Sequence, residues 1–202
     1  GVAFSANMFS LFVFYEILTL STYPLVTHSG TDEARRAGRV YLGILIGTSI
    51  GFQLVAIIWI WALAGTVDFT LGGVLAGKAD DGLLMVLYAL FVFGVGKAAI
   101  MPVHRWLPAA MVAPTPVSAL LHAVAVVKAG VFTVLKTTVY IFGIDTLSIA
   151  GATDLIIYLA AATILIASLI AMRRDNLKSR LAYSTVSQLS YILLGAMLAN
   201  AW

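Results

Sequence analysis

The sequence of 202 residues contains no cysteine, so disulfide bonds and thiolate metal ligands are excluded. Charged residues are scarce as well, at 10% of the chain against the roughly 25% that soluble domains carry. Hydrophobic residues instead make up 61%. Because so few charges cannot cover a surface in contact with water, the composition predicts a membrane protein.

The local patterns of common catalytic and nucleic-acid sites are also missing. The stretch GVGK at 94–97 does not complete the G-x-x-x-x-G-K-[ST] spacing of a phosphate loop. No histidine pair is spaced four residues apart, no carboxylates cluster around a metal position, and no Ser/His pattern suggests nucleophilic catalysis. The net charge of +3 is not gathered in one patch. We therefore expect no metal, no cofactor, no nucleic-acid partner and no enzyme chemistry by this chain alone.

Apolar runs of about 20 residues recur along the chain, and this is the length that crosses a hydrocarbon core of roughly 30 Å. Periodic polar stripes are mostly absent, which favours helices over the strands of an outer-membrane barrel. The predicted fold class is an all-α, polytopic transmembrane helix bundle. Six spans are predicted, at residues 2–26, 40–63, 83–111, 115–142, 154–172 and 181–202.

The third predicted span is too long for one straight helix, since about 29 residues would extend roughly 43 Å. Pro102 and Pro108 interrupt it, and Gly94 and Gly96 loosen the turn before them. The sequence therefore predicts a broken helix. At membrane depth, such a break is tolerated only inside protein or beside a wet cavity.

Basic residues fall on every second connection between the predicted spans, which is the pattern of the positive-inside rule. The intervening connections are acidic or mixed. We therefore expect both ends of this sequence to face away from the cytoplasm. The basic residues that carry this expectation are Arg35, Arg36, Arg39, Arg105, Arg173, Arg174, Lys178 and Arg180.

The ionisable residues that matter most are Glu16, Lys97, His122 and Lys128, because each lies well inside an apolar run. A charge at the bilayer centre costs at least about 2.5–3.5 kcal/mol, so each needs a partner, a cavity or neutralisation. This favours a proton or cation pathway. The alternative is a set of static ion pairs between helices, with His122 serving as an interhelical hydrogen-bonding group.

The spacing of these residues limits how they can cooperate. His122 and Lys128 are separated by about 120° around a helix, so a relay between them needs water or another helix. Lys136 lies nearer the end of its span, and we expect it to extend toward the interface. Gln53, together with Gln188 and Asn7, is expected to link helices through hydrogen bonds.

Three stretches carry a specific resemblance to a known family. They are GKAAIMPVHRWLPAAMVAPTPVSALLHAVAVVKAGVF at 96–132, FVFYEILTLSTYPL at 12–25 and DNLKSRLAYSTVSQLSYILLG at 175–195. In this order they resemble the membrane domain of the antiporter-like subunits of respiratory complex I (NADH:quinone oxidoreductase) and of Mrp-type sodium/proton antiporters.

The resemblance implies a proton-translocating subunit of about fourteen helices, built from two inverted repeats with broken helices. This sequence is interpreted as a piece of it, with 1–142 covering most of the first repeat and 153–202 opening the second. In the family, the glutamate at Glu16 pairs with the lysine at Lys97, and protons continue through His122 and Lys128. The implied setting is the inner cell membrane, in a hetero-oligomer with other membrane subunits that moves protons and Na⁺.

The branch of the family is left open by the sequence. The H-A-x-x-x-V-K-A-G pattern with Lys128 is more similar to Mrp antiporter subunits. The alternative is a proton-pumping subunit of an NADH:quinone oxidoreductase or membrane-bound hydrogenase, where the chain would be part of a translocase enzyme. A third interpretation is a structural scaffold with fixed buried charge pairs.

Overall fold

The computed structural model describes residues 1–198, and these form a bundle of helices with an isolated β-bridge between Asn7 and Asp68. The helices are α1 (Met8–Val26), α2 (Asp32–Ala64), α3 (Asp81–Gly94), α4 (Thr115–Phe142), α5 (Ile144–Ala150), α6 (Asp154–Met172) and α7 (Leu177–Leu198). Residues 95–114 join α3 to α4 through short turns. The α2 helix includes a π-helical segment, Ser49–Leu54, and α4 includes two, Leu120–Val124 and Thr138–Phe142.

The all-α, multi-pass fold class predicted from the sequence is confirmed. Five of these helices, α1, α2, α4, α6 and α7, are long and apolar enough to cross a membrane. The apolar α3 helix has 14 residues, and its length of about 21 Å is short of a hydrocarbon core. The fourth and fifth predicted spans match α4 and α6 at both ends. The last four positions of the sixth predicted span, 199–202, lie outside the described residues.

The second span begins earlier than predicted, at Asp32 rather than near residue 40. Thr31 caps this helix, accepting a hydrogen bond from the backbone N–H of Ala34 at 3.2 Å. Asp32 and Glu33 occupy the first turn, where the helix dipole favours negative charge. The three arginines expected in the preceding connection therefore lie on the exposed surface of the first turns of α2: Arg35, Arg36 and Arg39.

The broken region between α3 and α4 lies between two clusters of buried hydrophobic side chains. Val95 and Ala98 belong to the cluster that includes Tyr88 of α3. Ala99 and Trp106 belong to the other cluster. The first part of this segment, 95–100, is buried inside the bundle, whereas Pro102 and Arg105 further on are exposed.

Candidate functional site at the helix break

The regular helix of α3 ends at Gly94, and the chain then turns sharply. Gly96–Ala98 form a single 3₁₀ turn. Ala99 follows with a positive φ of 56°, an uncommon conformation for a residue with a side chain. The helix thus ends at Gly94, eight residues before Pro102. Gly94 is one of the two glycines expected to loosen the turn before the proline.

Two side chains from outside the turn satisfy backbone groups of the broken region. The indole Nε1–H of Trp106 donates to the carbonyl of Gly96 at 2.9 Å. The hydroxyl of Thr163 on α6 accepts from the backbone N–H of Met101 at 3.3 Å. Pro102 lies between the short turns, and Pro108 lies inside the single α-helical turn Trp106–Ala109.

Glycines permit neighbouring helices to touch the break. A Cβ at Gly94 would collide with the backbone of Gln53 in the π segment of α2, and one at Gly96 would collide with the hydroxyl of Thr48. On α4, a Cβ at Gly130 would overlap the backbone of Lys97 and its neighbour. The turn that carries Lys97 is therefore enclosed between α2 and α4 at backbone contact distance.

Lys97 is fully buried in this turn, and it makes three contacts with Tyr15 of α1. Its Nζ donates to the backbone carbonyl of Tyr15 at 2.6 Å. The same Nζ lies 3.0 Å from the centroid of the Tyr15 ring. The backbone N–H of Lys97 donates to the Tyr15 hydroxyl at 3.2 Å. The ammonium is thus stabilised by a carbonyl and a π face rather than by a direct ion pair.

Glu16 follows Tyr15 on the same helix, and its charge acts on that of Lys97. Within residues 1–198 both carboxylate oxygens are buried and accept no hydrogen bond. Ser49 of α2 lies beside the carboxylate, but its hydroxyl donates to the carbonyl of Ile46 at 3.1 Å. The structure brings Glu16 and Lys97 together and leaves the carboxylate free to accept a proton or a hydrogen bond.

His122 lies farther along, in the first π-helical segment of α4. In the described part of the chain neither ring nitrogen has a hydrogen-bond partner, which leaves the expected interhelical bond unmade. The ring borders a cavity of about 320 Å³ that Ser118, Lys178 and Thr185 also line. Lys178 Nζ donates to the carbonyl of Ala113 at 3.0 Å.

Lys128 occupies a different face of α4, and its side chain is exposed. Gly130, two residues later, faces the break. Since two residues correspond to about 200° around a helix, Lys128 points away from the break. The structure therefore brings Glu16 and Lys97 into one site and leaves Lys128 outside it.

Tyr15 and Trp106 are the site residues that sequence reasoning missed. The carbonyl of Tyr15 accepts from Lys97, and the indole of Trp106 donates to the carbonyl of Gly96. Hydrogen bonds to backbone carbonyls leave no pattern in the sequence. The one available signal is the position of Tyr15 directly before a membrane-embedded glutamate. Gln53 was expected to link helices, yet its buried amide has no hydrogen-bond partner in residues 1–198.

Lys136 extends to the chain that precedes α1. Its Nζ donates to the carbonyls of Ser5 at 2.8 Å and Ala3 at 3.3 Å. The same atom lies 4.3 Å from the centroid of the Phe69 ring. Lys136 therefore ties the chain that precedes α1 to the end of α4.

Comparison with known proteins identifies the fold and the family. Antiporter subunit mnhA2 of Staphylococcus aureus (strain JH9) is 32% identical over 96% of this chain, which spans 24% of that relative. The Mrp complex from Dietzia sp. DQ12-45-1b contains a chain that is 30% identical, with a TM-score of 0.84 over 99% of this chain and 22% of that one. A chain of the membrane-bound sulfane sulfur reductase (MBS), an archaeal respiratory membrane complex, is also 30% identical, with a TM-score of 0.80 over 98% of this chain and 40% of that one.

The chain thus spans about a quarter of the length of the curated relatives that it matches. The family model described as "NADH:quinone oxidoreductase/Mrp antiporter, TM" matches residues 5–202. These matches confirm the resemblance carried by the three sequence motifs. This chain, a multi-pass membrane protein, belongs to the transmembrane family of NADH:quinone oxidoreductase and Mrp antiporter subunits.

Proposed function

We propose that this chain is the part of an Mrp-type Na⁺/H⁺ antiporter subunit that takes up and passes on protons, working with other membrane subunits of a multisubunit complex. One observation carries the proposal: a fully buried lysine lies in a helix break beside a carboxylate that lacks a hydrogen-bond partner within residues 1–198. The similarity to antiporter subunit mnhA2 and to the Mrp complex supports the choice of branch.

In the proposed mechanism, Glu16 gates the proton on Lys97. At an effective dielectric near 20, opposite unit charges 4 Å apart attract by about 4 kcal/mol, which corresponds to a change in proton affinity of roughly a thousandfold. Approach of the carboxylate therefore makes the amine hold its proton, and withdrawal lets the proton go. Lys97 can approach or leave Glu16 because its present ligand is the neighbouring carbonyl of Tyr15.

The onward route runs through His122 and Lys128 of α4. A cavity borders His122, but the ring nitrogens are buried and the lining is mostly apolar. The proposed transfer therefore requires the ring to turn and expose a nitrogen. Because Lys128 faces away from the break, transfer to it passes through water or residues of other helices. This agrees with the angular separation derived from the sequence.

The test uses vesicles that contain the complete complex with the full-length subunit, with Na⁺-dependent ΔpH as the measurement. Lys97→Ala should abolish Na⁺-coupled proton movement while the complex still assembles. Lys136→Ala is the matched control, since Lys136 also binds carbonyls and lies over an aromatic ring, but away from Glu16. Full activity of Lys97→Ala would remove the proposed role.

Glu16→Gln separates gating from a scaffold role. A gate predicts a well-assembled complex with a selective loss of transport, because the neutral amide has no charge with which to hold the proton on Lys97. A scaffold of fixed charge pairs predicts instead a less stable complex whose remaining assembled fraction transports normally. Thermal unfolding and ΔpH measured on the same preparation distinguish the two.

A second candidate is an antiporter-like proton-pumping subunit of a redox-driven complex such as an NADH:quinone oxidoreductase or membrane-bound hydrogenase. The equal sequence identity to a chain of an archaeal respiratory membrane complex favours it. The native complex decides between them: copurifying iron–sulfur or flavin subunits indicate the redox branch, and membrane subunits alone indicate the antiporter.

A further inference from the structure

Two successive residues of α1 offer oxygen acceptors to the Lys97 amine, the carbonyl of Tyr15 and the carboxylate of Glu16. Lys97 binds the uncharged carbonyl. Its Nζ donates to the Tyr15 carbonyl at 2.6 Å and lies 3.0 Å from the Tyr15 ring centroid. In the described part of the chain, the carboxylate of Glu16 accepts no hydrogen bond although it is buried nearby. The carbonyl and ring of Tyr15 therefore hold the amine in place of the carboxylate.

We propose that Tyr15 is a positioning residue that holds the Lys97 ammonium apart from Glu16. The protonated amine then alternates between two positions, one against the ring and carbonyl of Tyr15 and the other against the carboxylate of Glu16. The proposal rests on the proposed function and adds the group that binds the Lys97 amine when Glu16 is withdrawn. With this second ligand, a charged Lys97 stays stable when its carboxylate partner is absent.

Each part of Tyr15 has a separate role. The ring stabilises the ammonium by a cation–π interaction, which is stronger where water is excluded. The hydroxyl accepts from the backbone N–H of Lys97 at 3.2 Å and so holds the turn that carries the amine. The carbonyl is shared, since it also accepts from the Thr19 hydroxyl at 3.3 Å.

The surroundings of Lys97 leave few competing groups. Glu16 is the charged residue in 1–198 whose field acts on it. From α2, Tyr41 is the titratable side chain close to Tyr15, and its hydroxyl is bonded to Thr22 at 2.6 Å. On α4, Gly130 packs against the backbone of Lys97 and has no side chain. A change in the Tyr15 ring therefore acts directly on the protonation of Lys97.

The experiment measures Na⁺-dependent ΔpH against pH in vesicles with the complete complex. The ring favours the protonated amine, so removing it lets Lys97 lose its proton at lower pH. We expect Tyr15→Leu to move the pH of half-maximal transport about one unit lower, a tenfold change in proton affinity, and Tyr15→Phe to restore the wild-type position. Phe69→Leu, which removes the ring beside Lys136, should leave the profile in place.

Fluorinated phenylalanines at position 15 keep the proposal testable if Tyr15→Leu fails to assemble. Added fluorines weaken the negative face of the ring while its shape barely changes. A shift to lower pH that grows with each fluorine supports the proposal. An unchanged pH profile in this series, with Lys97→Ala inactive, overturns the role of Tyr15 and keeps the proposed function. Full activity of Lys97→Ala would overturn both.

Discussion

At the scale of single residues, small side chains determine how closely the helices reach Lys97. Gly130 of α4 and Gly94 at the end of α3 stand where any Cβ would overlap backbone atoms of a neighbouring segment. Membrane helices associate largely through such close packing, because lipid is as apolar as their side chains. The glycines are therefore part of what buries the amine.

Gly130→Ala tests this packing. The added methyl group meets the backbone at Lys97, and overpacking of this kind costs about 1–3 kcal/mol. We expect a lower thermal unfolding midpoint of the complex and reduced transport. Gly195→Ala is the control, because a Cβ there meets nothing within 4 Å. Equal stability of the two variants would contradict the close approach.

Sequence reasoning at this scale found the charged residues and not their ligands. Glu16 and Lys97 were identified because lipid penalises charge, and this penalty applies whatever the tertiary structure. Tyr15 escaped detection because its carbonyl is a group that every residue has. Lys128 carried the same sequence signal as Lys97, but its side chain lies on the exposed face of α4.

At the scale of elements, the break is stabilised by side chains that replace missing helical hydrogen bonds. The carbonyl of Gly96 accepts from the Trp106 indole and from the backbone N–H of Ala99. In an apolar interior, both hydrogen bonds favour the observed shape of the turn. Trp106 is itself buried against Tyr41, with ring centroids 5.5 Å apart in an edge-on arrangement. This one side chain joins the turn to α2.

Trp106→Phe should loosen the turn. It removes one of two hydrogen bonds that the Gly96 carbonyl accepts, since the backbone N–H of Ala99 also donates to it at 3.0 Å. We expect a loss of about 0.5–1.5 kcal/mol. We expect a lower unfolding midpoint and a loss of transport that exceeds the loss of assembled complex. Trp61→Phe is the matched control, since Trp61 is 60% exposed on α2. If both variants transport normally, the indole is not needed to hold the turn.

The limits of α4 and α6 were predictable from hydrophobic length, because the runs themselves are as long as the helices. The start of α2 was missed because its first turns are charged and are stabilised by a Thr31 cap rather than by lipid. The break was expected at Gly94, Gly96, Pro102 and Pro108, and the regular helix ends at Gly94, where a Cβ would overlap the backbone of Gln53.

At the scale of the whole molecule, the distribution of positive charge predicts how the bundle is oriented. Arg35, Arg36 and Arg39 follow the connection after α1, and Arg173 and Arg174 lie in the connection after α6. We therefore expect both connections to face the cytoplasm. The connection between α2 and α3 should face the opposite side. The absence of cysteine from this chain makes the prediction accessible to single-cysteine labelling.

Two substitutions test the orientation, Ser29→Cys after α1 and Ala76→Cys between α2 and α3. Both positions are exposed. In a full-length protein freed of other cysteines, a membrane-impermeant maleimide should label Ser29→Cys only from the cytoplasmic side and Ala76→Cys only from the other side. Labelling of both from one side would contradict the predicted topology.

A helical membrane protein with ionisable residues in its spans can be predicted from the residue pattern, because the bilayer imposes the same length and polarity on any chain that crosses it. The motifs at 12–25, 96–132 and 175–195 also indicate the family. The contact of Lys97 with Tyr15, and a Glu16 that accepts no hydrogen bond within residues 1–198, follow from the folded structure and not from the pattern. The contact of Lys97 with Tyr15 depends on how α1, α2 and α4 pack around one irregular turn. Because these segments are far apart in the chain, their contacts follow from packing and not from the local sequence pattern.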